Sequence, residues 1–447
     1  HYGHLPLWQC VPILGLMATY LAIYTGFLAA GTSLFPASLS VMLFFPAGGV
    51  ALEYIRTHFL TGFPWELLGY SQFGLLPIIQ IADITGVYGV SALILLVNGG
   101  IAFTLMTLMR RTWQGMSVPP ALARLGLPII AIVLVGAWGY GLMRIGTITR
   151  TAELSPVANI AIAQGNIEQA HKWDPAYQRA TIETYGRLSK AAAAEGADLI
   201  IWPETATPFY LYRDNVLSEL VLAGIRAAKT DFLIGSPAFT HHEGAVRLHN
   251  SAYLIDQQTR LLGSYAKVHL VPFGEYVPLK RWLPFLGKLV AEVGDFKPGR
   301  KGSTLKWHEH AIGPLICYEI IFPSLARAMA AGGANLLVSQ TNDAWFGRTS
   351  AAYQHFSMGV FRAVENRRSL VRAANTGISG YIDPTGRIQQ QTPLFAEATL
   401  TQPVALLDSE AIYSRIGDLF AQICLALAAG FLLWRLWMRR LKKGPAQ

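Results

Sequence analysis

Charge is what this sequence has least of. Only 14% of its 447 residues are Asp, Glu, Lys or Arg, against 52% hydrophobic, where a soluble globular protein carries about 25% charged residues. The deficit is uneven: it falls on residues 1 to about 148 and again beyond about 416, while 150–415 has an ordinary soluble composition. A single soluble domain is thereby excluded. Cysteine is scarce too, with three in the chain. Cys10 and Cys424 sit in apolar runs, where a small buried hydrophobe is the usual fate of a thiol. Cys317 is left alone in the soluble region, so there is no disulfide framework, and a leftover thiol is a flag for reactivity. Zinc-like spacing is missing, because the His241-His242 and His308-Glu309-His310 clusters do not fit it. A basic face with interleaved aromatics is missing as well. Despite a pI near 9.4, the clearest basic clusters, Arg110-Arg111 and Arg439-Arg440-Leu441-Lys442-Lys443, flank apolar runs, which argues for membrane topology and against nucleic acid.

What is present in the apolar regions is length. A membrane span needs about 20 predominantly apolar residues, and five stretches qualify: roughly 7–30, 38–55, 84–109, 127–145 and 416–438. The second is the weakest, interrupted by Pro46, Gly48, Gly49 and Glu53, with Glu53 near an end at the interface. Lys and Arg beside spans gather in the loop 110–124 and in the tail, so both are expected on the cytoplasmic side. Counting spans outward from that loop puts 150–415 on the other side. The expected organisation is a membrane region 1–148 with an outer interfacial loop 58–83, a soluble catalytic domain 150–415, a membrane helix 416–438 and a cytoplasmic tail 439–447. The loop carries Phe63, Trp65 and Tyr70 among Gly and Pro, and is read either as a lipid-facing lip or as an aromatic belt anchor. The chain starts at His1 with no signal-like segment before the first span, and is expected to lack upstream spans.

In the soluble region, apolar β-branched runs alternate with amphipathic segments. The pattern predicts strands at 157–163, 198–202, 231–236, 250–256, 261–268, 311–317, 335–340, 369–375 and 378–383, and helices at 175–195, 214–229, 323–332 and 350–368. Asp174-Pro175 is a cap followed by proline at the first helical position. Alternation of this kind implies sheet faces covered by helices.

Three strand ends in this region carry reactive residues. Glu204 follows Leu199-Ile200-Ile201-Trp202-Pro203, Lys267 ends the run from Leu261, and Cys317 ends Ala311–Ile316 just before Pro323 starts a helix. Open α/β folds keep their sites at such an edge. A thiol with an ordinary pKa near 8.5 needs a base; Glu204 is placed to supply one, Cys317 to attack, and Lys267 to hold an oxyanion. On the sharp strand-to-helix turn, the N–H of Tyr318 is a second oxyanion donor. Glu275, eight residues after Lys267, can orient that ammonium. His269 is the rival base. Taken singly, Cys317 reads first as a buried structural cysteine and Lys267 as a surface lysine, and Glu204 also reads as an ion-paired or capping carboxylate; it is the combination that points to chemistry.

The motifs Gln164-Gly165-Asn166, Lys172-Trp173, Trp202-Pro203-Glu204, 269–278 (HLVPFGEYVP), Ile316-Cys317-Tyr318-Glu319 and 342–347 (NDAWFG), with 60–65 (LTGFPW) before them, resemble the nitrilase superfamily of carbon–nitrogen hydrolases and, with the membrane flanks, the bacterial apolipoprotein N-acyltransferases. The resemblance implies a polytopic α-helical membrane region joined to an α/β αββα sandwich, with Glu204, Lys267 and Cys317 as catalytic triad. It further implies Trp173, Glu275, Tyr318 and Glu319 in support, and eight spans of which five are present here. The activity implied is transfer of a fatty acyl chain from the sn-1 position of a phospholipid, typically phosphatidylethanolamine, to the α-amino group of diacylglyceryl-cysteine on an apolipoprotein. It would run through a Cys317 thioester in the inner membrane, with the catalytic domain facing the periplasm and no cofactor required. The alternatives are a membrane-anchored amidase of the same superfamily and a polytopic lipid-binding protein without catalysis.

Overall fold

The computed structural model describes residues 7–213, 215–242, 244–277 and 295–442. Pro278, which closes the 269–278 motif, and the tail from Lys443 lie outside the described residues. The chain divides into two compact units, His1–Gly146 with Ile416–Gln447, and Thr147–Arg415.

Among the described residues, the first unit contains five helices long and apolar enough to cross a membrane. These are α1 (Leu7–Thr32), α2 (Leu39–His58), α3 (Val87–Leu108), α4 (Pro120–Glu153, whose last residues are counted with the second unit) and α9 (Leu419–Lys442). The expected weak span is a continuous helix. Its glycines are packing positions: a Cβ on Gly49 would lie 2.4 Å from the Leu95 side chain of α3, the close approach that small residues permit between membrane helices. Glu53 lies near the end of α2. It is buried, and its Oε1 accepts the Leu68 N–H at 2.7 Å, so it fastens the loop after α2. At 34 residues, α4 spans about 50 Å, longer than a hydrocarbon core of about 30 Å.

The loop 58–83 is folded onto its own unit. Phe63 and Trp65 stack at 6.5 Å, and Arg56 donates to the carbonyls of Trp65 and Glu66 at 3.3 and 3.4 Å. Asp83 accepts from the Tyr140 hydroxyl at 2.7 Å and from Arg144 Nε at 2.8 Å. Tyr70 does not face outward as a lip residue would; it is 1% exposed. Gly69 explains this. Its N–H donates to the Ser91 hydroxyl of α3 at 2.9 Å, and a Cβ there would lie 2.6 Å from the Val87 carbonyl oxygen, so the turn is pressed against α3 and its neighbour is buried.

The second unit holds two six-stranded sheets among the described residues. The first has the order β12-β1-β2-β3-β4-β5, with β1 (Val157–Gln164), β2 (Leu199–Ile201), β3 (Asp231–His242), β4 (Ala245–Ile255), β5 (Leu261–Ala266) and β12 (Ala398–Ala405). The second has the order β11-β10-β9-β8-β7-β6, with β6 (Leu305–Trp307), β7 (His310–Ile316), β8 (Leu336–Thr341), β9 (Ser369–Ala374), β10 (Gly380–Ile382) and β11 (Ile388–Gln391). Each sheet has three parallel strands at its centre, two antiparallel strands beyond, and one antiparallel strand on the other edge. The two halves thus share a topology that no sequence repeat announces.

Helix α5 (Pro175–Ala194) lies on the first sheet, where Tyr185 stacks on Trp202 at 4.9 Å and Ser189 accepts the Trp202 indole N–H at 2.8 Å. Its start is as expected, with Asp174 accepting the Ala176 N–H at 2.9 Å and Pro175 next. Helix α6 (Asn215–Ala228) packs beside α5, while α7 (Pro323–Ala331) and α8 (Ser350–Asn366) lie on the second sheet. Polar side chains sew the inner faces together. Gln340 donates to the carbonyls of Trp202 and Leu233, and the Tyr381 hydroxyl contacts those of Ile160 and Leu400. The layers are helix, sheet, sheet, helix: the expected αββα sandwich.

Candidate active site

The parallel strands of both sheets end at one edge, and so does β5, which runs parallel to β3 because two antiparallel steps separate them. Glu204 therefore leaves β2, Lys267 leaves β5 and Cys317 leaves β7 at the same side of the sandwich. Strain accompanies this arrangement. Thr205, Phe273 and Cys317 have φ of 50°, 61° and 52°, a left-handed backbone that costs a non-glycine residue about 1–3 kcal/mol and gathers at functional sites. Cys317 opens the one-turn helix Cys317–Ile321, the sharp elbow its sequence suggested.

Lys267 is the centre of the cluster. It is 1% exposed, with its Nζ 3.0 Å from Glu275 Oε1 and 3.5 Å from Glu204 Oε1. Burial by itself would lower its pKa, but Glu275 and Glu204 overcome that and hold it above the ordinary lysine value. Asn250 of β4, opposite the end of β5, donates its amide to Glu204 Oε1 at 2.7 Å and to Glu275 Oε1 at 2.9 Å. Glu204 Oε2 accepts the Asn342 N–H at 2.9 Å, and Glu275 Oε2 accepts the Val271 N–H at 2.8 Å. Cys317 is partly exposed. Burial pushes its thiol up to about 12, helped by the Glu204 charge and opposed by Lys267. The resting thiol is therefore neutral, and attack requires a base to take its proton.

Glu319 is 0% exposed and is surrounded by donors. It accepts from the N–H groups of Val268, His269 and Ile316 at 2.6, 3.1 and 2.7 Å, and from the Tyr265 hydroxyl at 2.9 Å. It thereby ties the chain just after Lys267 to the chain just before Cys317. Burial pushes its carboxyl up to about 7 against those donors. His269, the rival base, is a poor one: burial, then Lys267 and Lys301, hold it near 4. Its ring packs on Phe322 at 3.8 Å and lies 5.8 Å from the half-buried Tyr318. Trp173 is 53% exposed, on the loop between β1 and α5.

Two features were not picked out from the sequence. Lys172 was noted only as the neighbour of Trp173, yet it is 4% exposed and its Nζ donates to the Glu204 carbonyl at 3.0 Å. Behind the elbow, His355 Nε2 contacts the Cys317 carbonyl at 3.2 Å, while its Nδ1 lies 3.0 Å from Asp343 and 2.9 Å from Arg372. Asp343 and Arg372 pair at 2.8 Å, and all three are 0–1% exposed. Asp343 was legible within the 342–347 motif; the others carry no local signal, since a basic residue at helical or strand spacing reads as a solvated face.

Residues 159–413 match the model of the carbon–nitrogen hydrolase family, and residues 1–100 that of the apolipoprotein N-acyltransferase N-terminal domain. Among curated relatives, the apolipoprotein N-acyltransferase of Geobacter metallireducens is 44% identical over 433 residues, covering 96% of this chain and 81% of its own. That of Brucella melitensis is 37% identical over 391 residues, covering 84% and 69%. An amidase from Nesterenkonia sp. superposes on 60% of this chain and 96% of its own, with a TM-score of 0.43 and 22% identity. A carbon–nitrogen hydrolase domain joined to membrane helices, with identity to these relatives along nearly its whole length, places the chain in the apolipoprotein N-acyltransferase family.

Proposed function

We propose that the protein transfers a fatty acyl chain from the sn-1 position of a phospholipid, with phosphatidylethanolamine as donor, to the α-amino group of a diacylglyceryl-cysteine at an apolipoprotein N-terminus. The observation that carries the reading is the meeting of Glu204 and Glu275 on the Lys267 ammonium, with the charges of Glu204 and Lys267 acting on the Cys317 thiol.

In the first half, Glu204 takes the thiol proton and Cys317 Sγ attacks the ester carbonyl. The new oxyanion lies beside the Lys267 ammonium. Collapse breaks the ester C–O bond, the proton on Glu204 passes to the departing lysophospholipid oxygen, and a thioester remains. In the second half, Glu204 takes a proton from the attacking amine, the C–N bond forms and the C–S bond breaks, and the thiol recovers its proton. Glu275 orients Lys267 throughout. Glu319 holds the Lys267 and Cys317 segments in register, Tyr318 flanks the nucleophile and Trp173 lines the acyl or head-group approach. The thioester has to be kept from water while it waits, which suits substrates drawn from a bilayer. The catalytic unit accordingly faces the periplasm from a bacterial inner membrane, with Phe63 and Trp65 of the outer loop presented to lipid.

The test is the acyl-enzyme. Purified protein incubated with phosphatidylethanolamine is expected to gain one acyl mass on Cys317, read by intact mass, and a diacylated lipopeptide with a free N-terminus is expected to remove it. Cys317→Ala should abolish the adduct and lower transfer on the order of 10⁴-fold or more. Full transfer by that variant sinks the mechanism, and loss of the adduct to water as fast as to lipopeptide makes the protein a hydrolase.

A further inference from the structure

The charges in the site do not balance with the triad alone. Glu204 Oε1 and Glu275 Oε1 share one Asn250 amide, and one ammonium, that of Lys267, serves both. Two carboxylates this close to a single cation leave a surplus negative charge. Glu319 does not relieve this, because it is itself a buried carboxyl met by backbone N–H groups and a tyrosine hydroxyl.

Lys172 is the cation placed to make up the difference. Its Nζ donates to the Glu204 carbonyl at 3.0 Å, and the Glu204 charge acts on it. On its own loop, the exposed Glu168 and the half-buried His171 lie 3.7 Å from each other. Gln169 and Asn342 nearby are neutral and bonded to one another at 2.7 Å. We propose that Lys172 is a positioning residue of the acyl-transfer site, fixing the Glu204 backbone and supplying a second positive charge to the cluster of Glu204, Glu275 and Cys317. This rests on the assignment of Glu204 as base and Cys317 as nucleophile.

The lysine also brings a pH limit. Burial pulls its ammonium down to about 8, with Glu204 and Cys317 opposing. A lowered lysine keeps its charge below that value and loses it above, so acylation of Cys317 falls as pH rises past it. The facing groups from the other elements are Glu204 after β2, Lys267 after β5 and Cys317 at the elbow; with Lys267 held above its ordinary value, Lys172 is the first of the two cations to discharge.

The experiment measures the initial rate of thioester formation from phosphatidylethanolamine, by intact mass, between about pH 6 and 10. It compares the unmodified protein with Lys172→Met and Lys172→Arg, with a thermal melt to confirm folding. The unmodified protein is expected to lose rate above about pH 8. Lys172→Met should be slower at neutral pH by roughly tenfold, with the alkaline fall gone. Lys172→Arg should move that fall upward, because a guanidinium stays charged. If Lys172→Met melts early, the Arg variant decides. An alkaline fall unchanged in whichever variant is folded overturns the proposal. Failure of the unmodified protein to acylate Cys317 at any pH instead overturns the assignment of the nucleophile.

Discussion

Asp83 in the membrane unit and Glu319 in the catalytic unit are both carboxylates withdrawn almost wholly from solvent, at 1% and 0% exposure. Their partners differ in kind. Asp83 accepts from two side chains of one helix, Tyr140 and Arg144, and so pins the loop 58–83 to α4. Glu319 binds three backbone N–H groups and a tyrosine hydroxyl, and those groups belong to the segments carrying Lys267 and Cys317. A side-chain pair fastens one element to another and can be replaced by other packing. A carboxylate saturated by backbone donors sets where the chain itself runs, which a reacting centre needs to within a fraction of an ångström. The membrane unit thus uses buried charge for attachment, whereas the catalytic unit uses it to place and bias reactive groups.

The largest test of that contrast is Glu204→Gln. It keeps the shape of the site and removes the base, so acyl-enzyme formation should fall by roughly 10²–10⁴-fold with the melting temperature little changed. A variant that acylates normally would show that Glu204, too, is mere attachment. Next in size is Asp83→Asn, which leaves Arg144 without its anion. Stability in detergent should drop by roughly 1–3 kcal/mol, read from thermal unfolding, while the acylation rate of the protein that remains folded stays within about twofold. A lost rate at unchanged stability would break the division of labour between the units.

The smallest effect is expected from acid. Burial would raise the Asp343 pKa, but Arg372 and His355 hold it well below its reference value of 3.8. A carboxyl whose folded value is depressed contributes stability that is present above the unfolded value and lost as pH falls through the folded one. Acid unfolding followed by tryptophan fluorescence should therefore steepen below about pH 4, and Asp343→Asn should flatten that slope. An unchanged slope would mean that the cluster behind the elbow carries no net charge linkage.

Much of this was legible in sequence because it depends on neighbours along the chain. Apolar length marked the spans, alternation marked the central strands, and Asp174-Pro175 marked the start of α5. Strand ends marked Glu204, Lys267 and Cys317. The strands β6, β11 and β12 were not read. The third is the clearest case: Ala398–Ala405 pairs antiparallel with Val157–Gln164, more than two hundred residues earlier, and its partly exposed, Thr- and Gln-bearing face carries no strong alternation. The hairpin of β3 and β4 is longer than expected because it continues to His242, past the exposed Thr240 and His241. Tyr70 was misread for a similar reason. An aromatic in a broken apolar loop suits an interface by composition, and only the contact of Gly69 with Ser91 and Val87 turns it inward.

The sequence by itself determined the division into membrane and soluble regions, the order of elements and the residue types able to perform acyl transfer, because periodicity and composition are local properties. The tertiary structure decided that Glu204 and Glu275 share the Lys267 ammonium, that burial raises the Cys317 thiol, and that Lys172 is buried against the Glu204 carbonyl. Those outcomes depend on distance, burial and field at a point where separate segments meet, and no stretch of chain contains them alone.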